Sequence, residues 1–394
     1  MTTHSTPATS TPNRNGDRLP ERPRLLAGLP VLRRTAGETQ IGTDPRHAVV
    51  VTGLPEPVAA LLHRLDGRHT TDELMARAGP RHQPVLRQTL SGLASIGLLH
   101  DTAPAPGPPA RLAADRTAWA LRSDRDHSSI DRHRVPAVVV IHGSGRIAVA
   151  LATLLAASGV GWVHTVADGV VQPEDTGTGY LDEDIGDTRA DAAARAVRRT
   201  TPETRTTRLA PHQLPDLVVL TDTPVPDPRL SAGLSSAGLP HLVVHGAEGT
   251  GVVGPLVVPG RTSCLHCVDL HNTDTDACWP ALAAQLAAHP QPADLASAQA
   301  TAAFAAGQVL RFLHTAQQGT VCDTTLPVWG AAMEIDVFTA RSTRVTWPPH
   351  PRCPCGAARA TPPPDQPPDH PATPSTAHRR APNPTDAVAE RPLP

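Results

Sequence analysis

The chain contains no lysine, and all 35 of its basic residues are arginine. Reactions that depend on a lysine amine are therefore excluded. Acidic and basic residues nearly balance, with a net charge of −2, and the arginines form no basic stripe of the kind that binds nucleic acid. The composition thus predicts that this protein binds no nucleic acid.

Aromatic residues are also scarce, at 2% of the chain, although hydrophobic residues make up 39%. The cores must therefore be built from Ala, Val, Leu and Ile. No apolar run reaches the ~18 residues that cross a bilayer, and the N-terminus lacks the apolar segment of a signal peptide. These absences predict a cytoplasmic protein that does not contact a membrane. In that compartment the six cysteines are expected to be metal ligands or free thiols, because disulfides are rare there.

Changes in composition divide the 394 residues into five parts. Residues 1–20 are polar and rich in Pro and Thr, residues 357–394 are rich in Pro, and both are predicted to be disordered tails. Residues 21–103 contain short strand-like segments followed by three amphipathic helical segments, which favours a winged-helix-like module. A helical domain without a binding role is the alternative. Residues 104–133 are interpreted as a Pro-rich linker, and residues 134–356 as the main domain.

The main domain alternates buried strands with helices. An unbroken apolar run from Val135 to Ile141 is typical of a strand covered on both faces. Alternation of this kind predicts a doubly wound α/β sheet. A long Ala-rich helix over residues 295–315 has two interpretations, since it can cover the sheet or pack against a second copy of the chain.

A glycine-rich turn joins the first strand of this domain to its first helix. Gly143, Gly145 and Ala148 form the pattern G-x-G-x-x-A, in which the glycines allow a tight turn and close approach of a phosphate. Asp168 ends the next strand, where an acid commonly binds a ribose hydroxyl. The turn therefore predicts a nucleotide site. A turn that binds no nucleotide and an NAD site are alternatives, although no dehydrogenase residues accompany it.

Two cysteine pairs far apart in the chain indicate a metal site. They are Cys264 with Cys267 and Cys353 with Cys355. Four thiolates suit a closed tetrahedral Zn²⁺ site with a structural role, because no position remains for water. A redox C-x-x-C is the alternative, but it does not need the second pair. His266 and His271 lie nearby and are interpreted as surface residues. Cys278 begins a helix without an adjacent base, and Cys322 has no assigned role.

With these motifs in place, residues 130–356 resemble the ThiF/E1-like superfamily. Those enzymes use ATP and Mg²⁺ to adenylate ubiquitin-like modifiers and sulfur carriers. The whole chain is similar to a narrower group, the leader-peptide-binding partner proteins of azoline-forming cyclodehydratases in bacteriocin-type biosynthesis. The resemblance implies that the front module adds a leader peptide as an extra strand, near Thr39–Val51 and the helix Val85–Leu98. It also implies that the main domain docks a cyclodehydratase, and E1-like domains often form homodimers.

The phosphate-binding residues depart from the family pattern. The resemblance implies that Asp222 is the acid that acts on magnesium and phosphate. It also implies that Arg189 stands where the family usually has a lysine. The Asn and Arg expected after Asp168 are missing. Acids fill that loop instead, namely Glu174, Asp175, Asp182, Glu183, Asp184 and Asp187. Because these acids should repel a triphosphate, the leading hypothesis is a recognition protein that has lost adenylation. The alternative is an active adenylyltransferase for the C-terminus of a peptide or carrier protein.

Overall fold

The computed structural model describes residues 19–101, 110–122, 129–287, 289–316 and 326–357. The two predicted tails lie almost wholly outside these ranges, and so does Cys322. Within them, no helix combines the length and the apolar character that would let it span a bilayer.

The front module contains two small antiparallel sheets and three helices. Its elements are β1 (Pro23–Leu25), β2 (Val31–Thr35), β3 (Glu38–Ile41), β4 (Val49–Thr52), α1 (Glu56–Leu62), α2 (Thr71–Ala78), α3 (Gln83–Ser95) and β5 (Leu99–Asp101). Helix α2 begins after Thr70, which caps it: the Thr70 hydroxyl accepts a hydrogen bond from the Glu73 N–H at 3.2 Å, and the Glu73 carboxylate accepts one from the Thr70 N–H at 3.0 Å. Ile41, Leu74 and Leu90 fill the core.

The three-stranded sheet of this module has the order β2-β3-β4. Thr39 therefore lies on the central strand β3, which is paired on both sides. Of the segment Thr39–Val51, where the sequence predicts that a leader peptide adds as an extra strand, only β4 has an unpaired edge. Leu32, Gln40 and Val50 face each other in one row across the three strands. Leu32 and Val50, at 40% and 39% exposure, leave two apolar side chains on the outer face of the sheet.

The described part of the predicted linker is helical and packs on both neighbours. It contains α4 (Ala113–Ala120) and α5 (Ser129–His133). Thr117 donates to the Ala27 carbonyl of the front module at 2.7 Å. On the other side, the Trp119 ring stacks on His314 with centroids 3.8 Å apart, and Arg134 donates to the same imidazole at 3.2 Å. This segment therefore joins the module to the main domain through specific contacts.

The main domain is built on a seven-stranded sheet with the order β12-β11-β10-β9-β8-β6-β7. Strands β6 to β9 are parallel and β9 to β12 are antiparallel. The strands are β6 (Val138–His142), β7 (Trp162–Val166), β8 (Leu217–Thr221), β9 (His241–Ala247), β10 (Thr250–Val257), β11 (Ala331–Asp336) and β12 (Arg341–Thr346). The described sheet is thus α/β with a Rossmann-like parallel half, as the alternation predicts, and an antiparallel extension.

Helices lie on both faces of the sheet. They are α6 (Arg146–Ala157), α7 (Arg189–Thr200), α8 (Pro228–Ser236), α9 (Leu265–Thr275), α10 (Trp279–Leu286) and α11 (Leu295–Ala316). Helices α6 and α11 pack side by side on one face, where Leu151, Ala302 and Val309 join the main core. Helix α8 packs on the other face through Leu234. Since α11 uses its buried side to cover the sheet, pairing of two chains through this helix stays a prediction.

Candidate functional site

The glycine turn lies at the carboxyl end of β6, between that strand and α6. Gly145 is the N-cap of α6, and the Gly143 N–H bonds the Val166 carbonyl at the end of β7 at 3.0 Å. Gly143 has φ +147°, and a Cβ there would lie 1.7 Å from the Thr221 hydroxyl. Ala148 lies in the first turn of α6 and is fully buried. The geometry therefore explains why these positions hold residues with small or no side chains.

Asp222 follows β8 directly and turns its carboxylate into this turn. Its Oδ2 accepts from the Ser144 N–H at 2.5 Å and from the Gly145 N–H at 3.0 Å. Those N–H groups, at the positive end of the α6 dipole, are the ones that a phosphate would use. Burial raises the pKa of Asp222, while the two N–H donors act in the opposite direction. In this conformation the Asp222 carboxyl group already occupies both N–H groups, so a nucleotide phosphate would have to displace it.

Arg189, at the first position of α7, is also engaged. Its Nε and Nη2 donate to Asp175 Oδ2 at 3.0 and 2.7 Å, and its Nη1 lies 3.4 Å from the Ser144 hydroxyl. Arg189 therefore reaches the glycine turn, as its predicted role requires. Its charge is balanced by Asp175, which leaves less of it for a phosphate.

Half of the acidic loop is neutralised in the same way. Asp184 is fully buried and contacts Arg195 and Arg199 at 2.8 and 3.0 Å, and Asp187 contacts Arg195 at 2.5 Å. Burial alone would raise the pKa of Asp184, but its bonds to Arg199, the Leu181 N–H and Arg195 outweigh this and hold that pKa at about 2. The sequence therefore overestimates how strongly the six acids would repel a triphosphate. Three of them, Asp175, Asp184 and Asp187, form ion pairs with arginines and stabilise the loop.

Two further residues complete the surroundings of the turn. Asp168 lies two positions beyond β7 and is exposed at the same edge of the sheet, so its ribose role stays a prediction. Arg146, for which the sequence suggested no role, donates to the carbonyls of Thr176 and Ala293 at 3.1 and 3.2 Å. Its position inside the glycine motif was the available signal. Because these partners are neutral carbonyls, they do not balance the positive charge of Arg146 beside the turn.

The four paired cysteines meet in one cluster at the start of α9. Their sulfur atoms all lie within 4.8 Å of one another, and no other group of metal-ligating side chains is found in the described ranges. The Sγ–Sγ distances are 3.8 Å for Cys264–Cys267, 3.6 Å for Cys264–Cys353 and 3.6 Å for Cys267–Cys355. Tetrahedral zinc with bonds of ~2.3 Å requires about 3.8 Å between sulfurs. The geometry of the cluster therefore fits a metal ion with four thiolate ligands.

The surroundings of the cluster agree with a closed site. Burial raises the pKa of the Cys264 thiol and raises that of Cys353 to about 11, so a dication is needed to hold these two as thiolates at neutral pH. His266 is exposed and His271 bonds the Pro348 carbonyl at 2.9 Å, so neither belongs to the cluster. Cys278 is also outside it, exposed at the N-cap of α10.

Solved structures with this fold cover most of the chain. E. coli MccB bound to MccA-N7isoASN aligns with a TM-score of 0.59 and 15% identity, over 85% of this chain and 99% of MccB. E. coli MccB with ATP gives 0.58 and 15%, over 84% and 99%. A heterocyclase in complex with substrate and cofactor gives 0.58 and 15%, over 86% of this chain and 40% of that one. At this identity the similarity establishes the fold alone.

Curated proteins provide no match to the sequence. The ThiF family model, in contrast, matches residues 134–355, which are more than half of the chain and contain the glycine turn, Asp222 and all four clustered cysteines. The chain therefore belongs to the ThiF family.

Proposed function

We propose that this protein is a ThiF-like recognition protein of ribosomal peptide biosynthesis. It binds the leader segment of a precursor peptide on its front module and presents it to a separate cyclodehydratase-type enzyme, and its own adenylation activity is lost. The observation that carries the loss of adenylation is the Asp222 carboxylate on the N–H groups of the glycine turn. The zinc ion has a structural role, and the front module is winged-helix-like.

Peptide recognition is assigned to the outer edge of β4. An extended peptide gains main-chain hydrogen bonds when it adds to a free strand edge, and within the described module β4 is bonded on one side only. Val50 provides an exposed apolar neighbour for the side chains of such a peptide. The MccB structures with MccA and the heterocyclase with its substrate support a peptide ligand.

Val50→Glu is expected to weaken leader binding by about tenfold, because it places a charge beside the apolar contacts of the added strand. The measurement is a calorimetric titration of the full chain with leader peptides encoded beside its gene. Leu32→Glu is the matched control, because Leu32 has the same exposure in the same row but lies on the opposite edge. An equal effect of both variants, or no binding of any leader by the unaltered chain, would contradict the assignment to β4.

The second candidate function is an active adenylyltransferase. Its support is that Arg146, Arg189 and Asp222 all meet at the glycine turn, so the parts of an ATP and Mg²⁺ site are close together. In this case Asp222 would leave the turn when nucleotide binds and hold the metal.

Asp222→Gly separates the two functions, and glycine suits the φ of +76° at this position. If the carboxylate blocks the turn, its removal frees two N–H donors and should tighten ATP binding by about tenfold, with no ATP–pyrophosphate exchange before or after the change. If the protein is an active enzyme, exchange is present and the substitution abolishes it. Asp222→Asn, which keeps an oxygen acceptor for the turn, is expected to tighten ATP binding less than glycine does.

A further inference from the structure

The loop that carries the second cysteine pair lies along helix α9, which carries the first pair. Cys264 is the N-cap of α9 and Cys267 lies in its first turn, so the sulfur cluster is at the N-terminal end of the helix. The second pair follows β12 in the chain, and the loop leaves the sheet where the Trp347 N–H bonds the Gly330 carbonyl at 2.9 Å. The segment between Trp347 and Cys353 must therefore be held against the helix for the sulfur atoms to meet.

Two side chains at the C-terminal end of α9 contact this loop. His271 and Asp274 lie on the same side of the helix, because residues with this spacing are one turn apart. His271 bonds the Pro348 carbonyl at 2.9 Å, and Asp274 bonds His350 at 2.9 Å and also pairs with Arg352. The loop is thus attached to α9 at two places, through the sulfur atoms at one end of the helix and through these polar contacts at the other.

His350 is at the centre of these contacts, and its side chain is only 3% exposed. Its Nδ1 lies 3.2 Å from the Arg352 N–H. A peptide N–H can only donate, so Nδ1 is the acceptor and carries no proton. The proton of the imidazole is therefore on Nε2, which donates it to Asp274 Oδ2. Both ring nitrogens have partners, and together these partners fix the orientation of the ring.

The backbone of His350 also shapes the turn that presents Cys353. The Cys353 N–H bonds the His350 carbonyl at 3.0 Å, which closes a β-turn over His350–Cys353. Pro351 holds the second position of this turn, which its fixed φ favours. His350 therefore sets the shape of the turn through its carbonyl and the place of the turn on α9 through its imidazole.

We infer that His350 and Asp274 are positioning residues for the metal, which hold the second cysteine pair beside the first whether or not an ion is bound. The inference rests on the assignment of the cluster as a zinc site. Residues that orient metal ligands without touching the metal commonly contribute a factor of ~10–100 in affinity. Ligands that are already in place also bind without the cost of ordering their loop. Here the two residues act on the metal through Cys353 and Cys355.

The test follows the transfer of zinc from the purified full chain to an excess of pyridylazoresorcinol, a coloured chelator, well below the Tm. His350→Leu should release zinc about tenfold faster or more, because both contacts of the imidazole are lost. His350→Gln keeps an N–H donor for Asp274, and Asp274→Asn keeps an oxygen acceptor for His350, so each should release zinc at an intermediate rate. Asp44→Ala is the matched control. Asp44 is also a partly exposed carboxylate paired with an arginine, Arg46, but it lies in the front module, and its loss should leave the rate unchanged.

Gly143→Ala separates positioning from a general loss of stability. Its methyl group would overlap Thr221, so it should destabilise the main domain without any contact with the cluster. The inference is wrong if His350→Leu releases zinc no faster than Gly143→Ala does. It is also wrong if His350→Gln releases zinc as fast as His350→Leu.

Alkylation of the metal-free chain with iodoacetamide, followed by peptide mapping, gives an independent measurement. Cys353 should react more slowly than the exposed Cys278 in the unaltered chain, and about as fast as Cys278 in His350→Leu. Equal rates for the two thiols in the unaltered chain would mean that the loop leaves α9 when no metal is bound, which would overturn the inference. A purified chain without zinc would disprove the metal assignment alone, and the alkylation would still decide whether His350 holds the second pair in place.

Discussion

Cys267→Ser is expected to remove the metal from the protein and to lower its stability more than any other single change considered. Cys267 is fully buried in the cluster, and structural zinc contributes about 10–16 kcal/mol of binding free energy to small zinc domains. With three ligands left, we expect a loss of about 4 kcal/mol or more in the free energy of unfolding. For a domain of this size, that lowers Tm by roughly 10 °C.

Atomic emission of the purified protein measures the zinc, and thermal unfolding followed by circular dichroism measures the stability. The unaltered chain should contain about one zinc ion, and a chelator should lower its Tm toward that of the variant. Cys278→Ser is the matched control, because this exposed thiol lies outside the cluster, and it should keep both metal and stability. A Cys267→Ser protein with its zinc and Tm intact would rule out the four-thiolate site.

The second large effect is expected for Gly143→Ala. A methyl group there would overlap the Thr221 hydroxyl at 1.7 Å and approach Asp222 at 2.8 Å, on a backbone with φ +147° that side chains rarely adopt. Both neighbours would have to move, and the bonds from the turn to Asp222 would be lost. We expect a loss of about 3–4 kcal/mol, by overpacking and backbone strain together.

Urea denaturation compares this variant with Gly233→Ala. Gly233 lies inside α8, and no atom lies within 4 Å of the position that a Cβ would take there, so alanine should add about 0.5–1 kcal/mol by helix propensity. The same chemical change thus has opposite signs at two glycines. If Gly143→Ala is as stable as the unaltered protein, the turn can change its conformation at little cost. The hydrogen bonds from the turn to Asp222 would then be no obstacle to a nucleotide.

The parallel half of the fold could be predicted because its signals are local. The apolar strand Val138–His142, the glycines after it and the helix that follows are adjacent in sequence. The reversal of direction at β9 had a local signal too, which the prediction from sequence did not include. Only Glu248 and Gly249 separate β9 from β10, and both have positive φ, as in the tight turns that join antiparallel strands.

The state of the nucleotide site could not be predicted, because it depends on contacts across the chain. Asp222 is 77 residues from Gly145, whose N–H it accepts, and no local pattern distinguishes an acid that binds magnesium from one that caps a helix. The pairing of Asp184 with Arg195 and Arg199 was hidden for a similar reason. From sequence alone, a run of acids is expected to repel a phosphate. Only the structure shows that arginines of α7 lie beside the acids and neutralise them.

The distance along the chain between the two halves of the cysteine cluster affects how the protein is made. Cys355 is added to the growing chain 88 residues after Cys267, which at ~5–20 residues per second takes roughly 4–18 s. During that interval a nascent chain has two of the four clustered cysteines and lacks the other two. The front module can fold before synthesis reaches the second pair, whereas the main domain cannot complete its cysteine cluster until then. A ribosome that stalls within this window leaves the front module attached to an unfinished main domain.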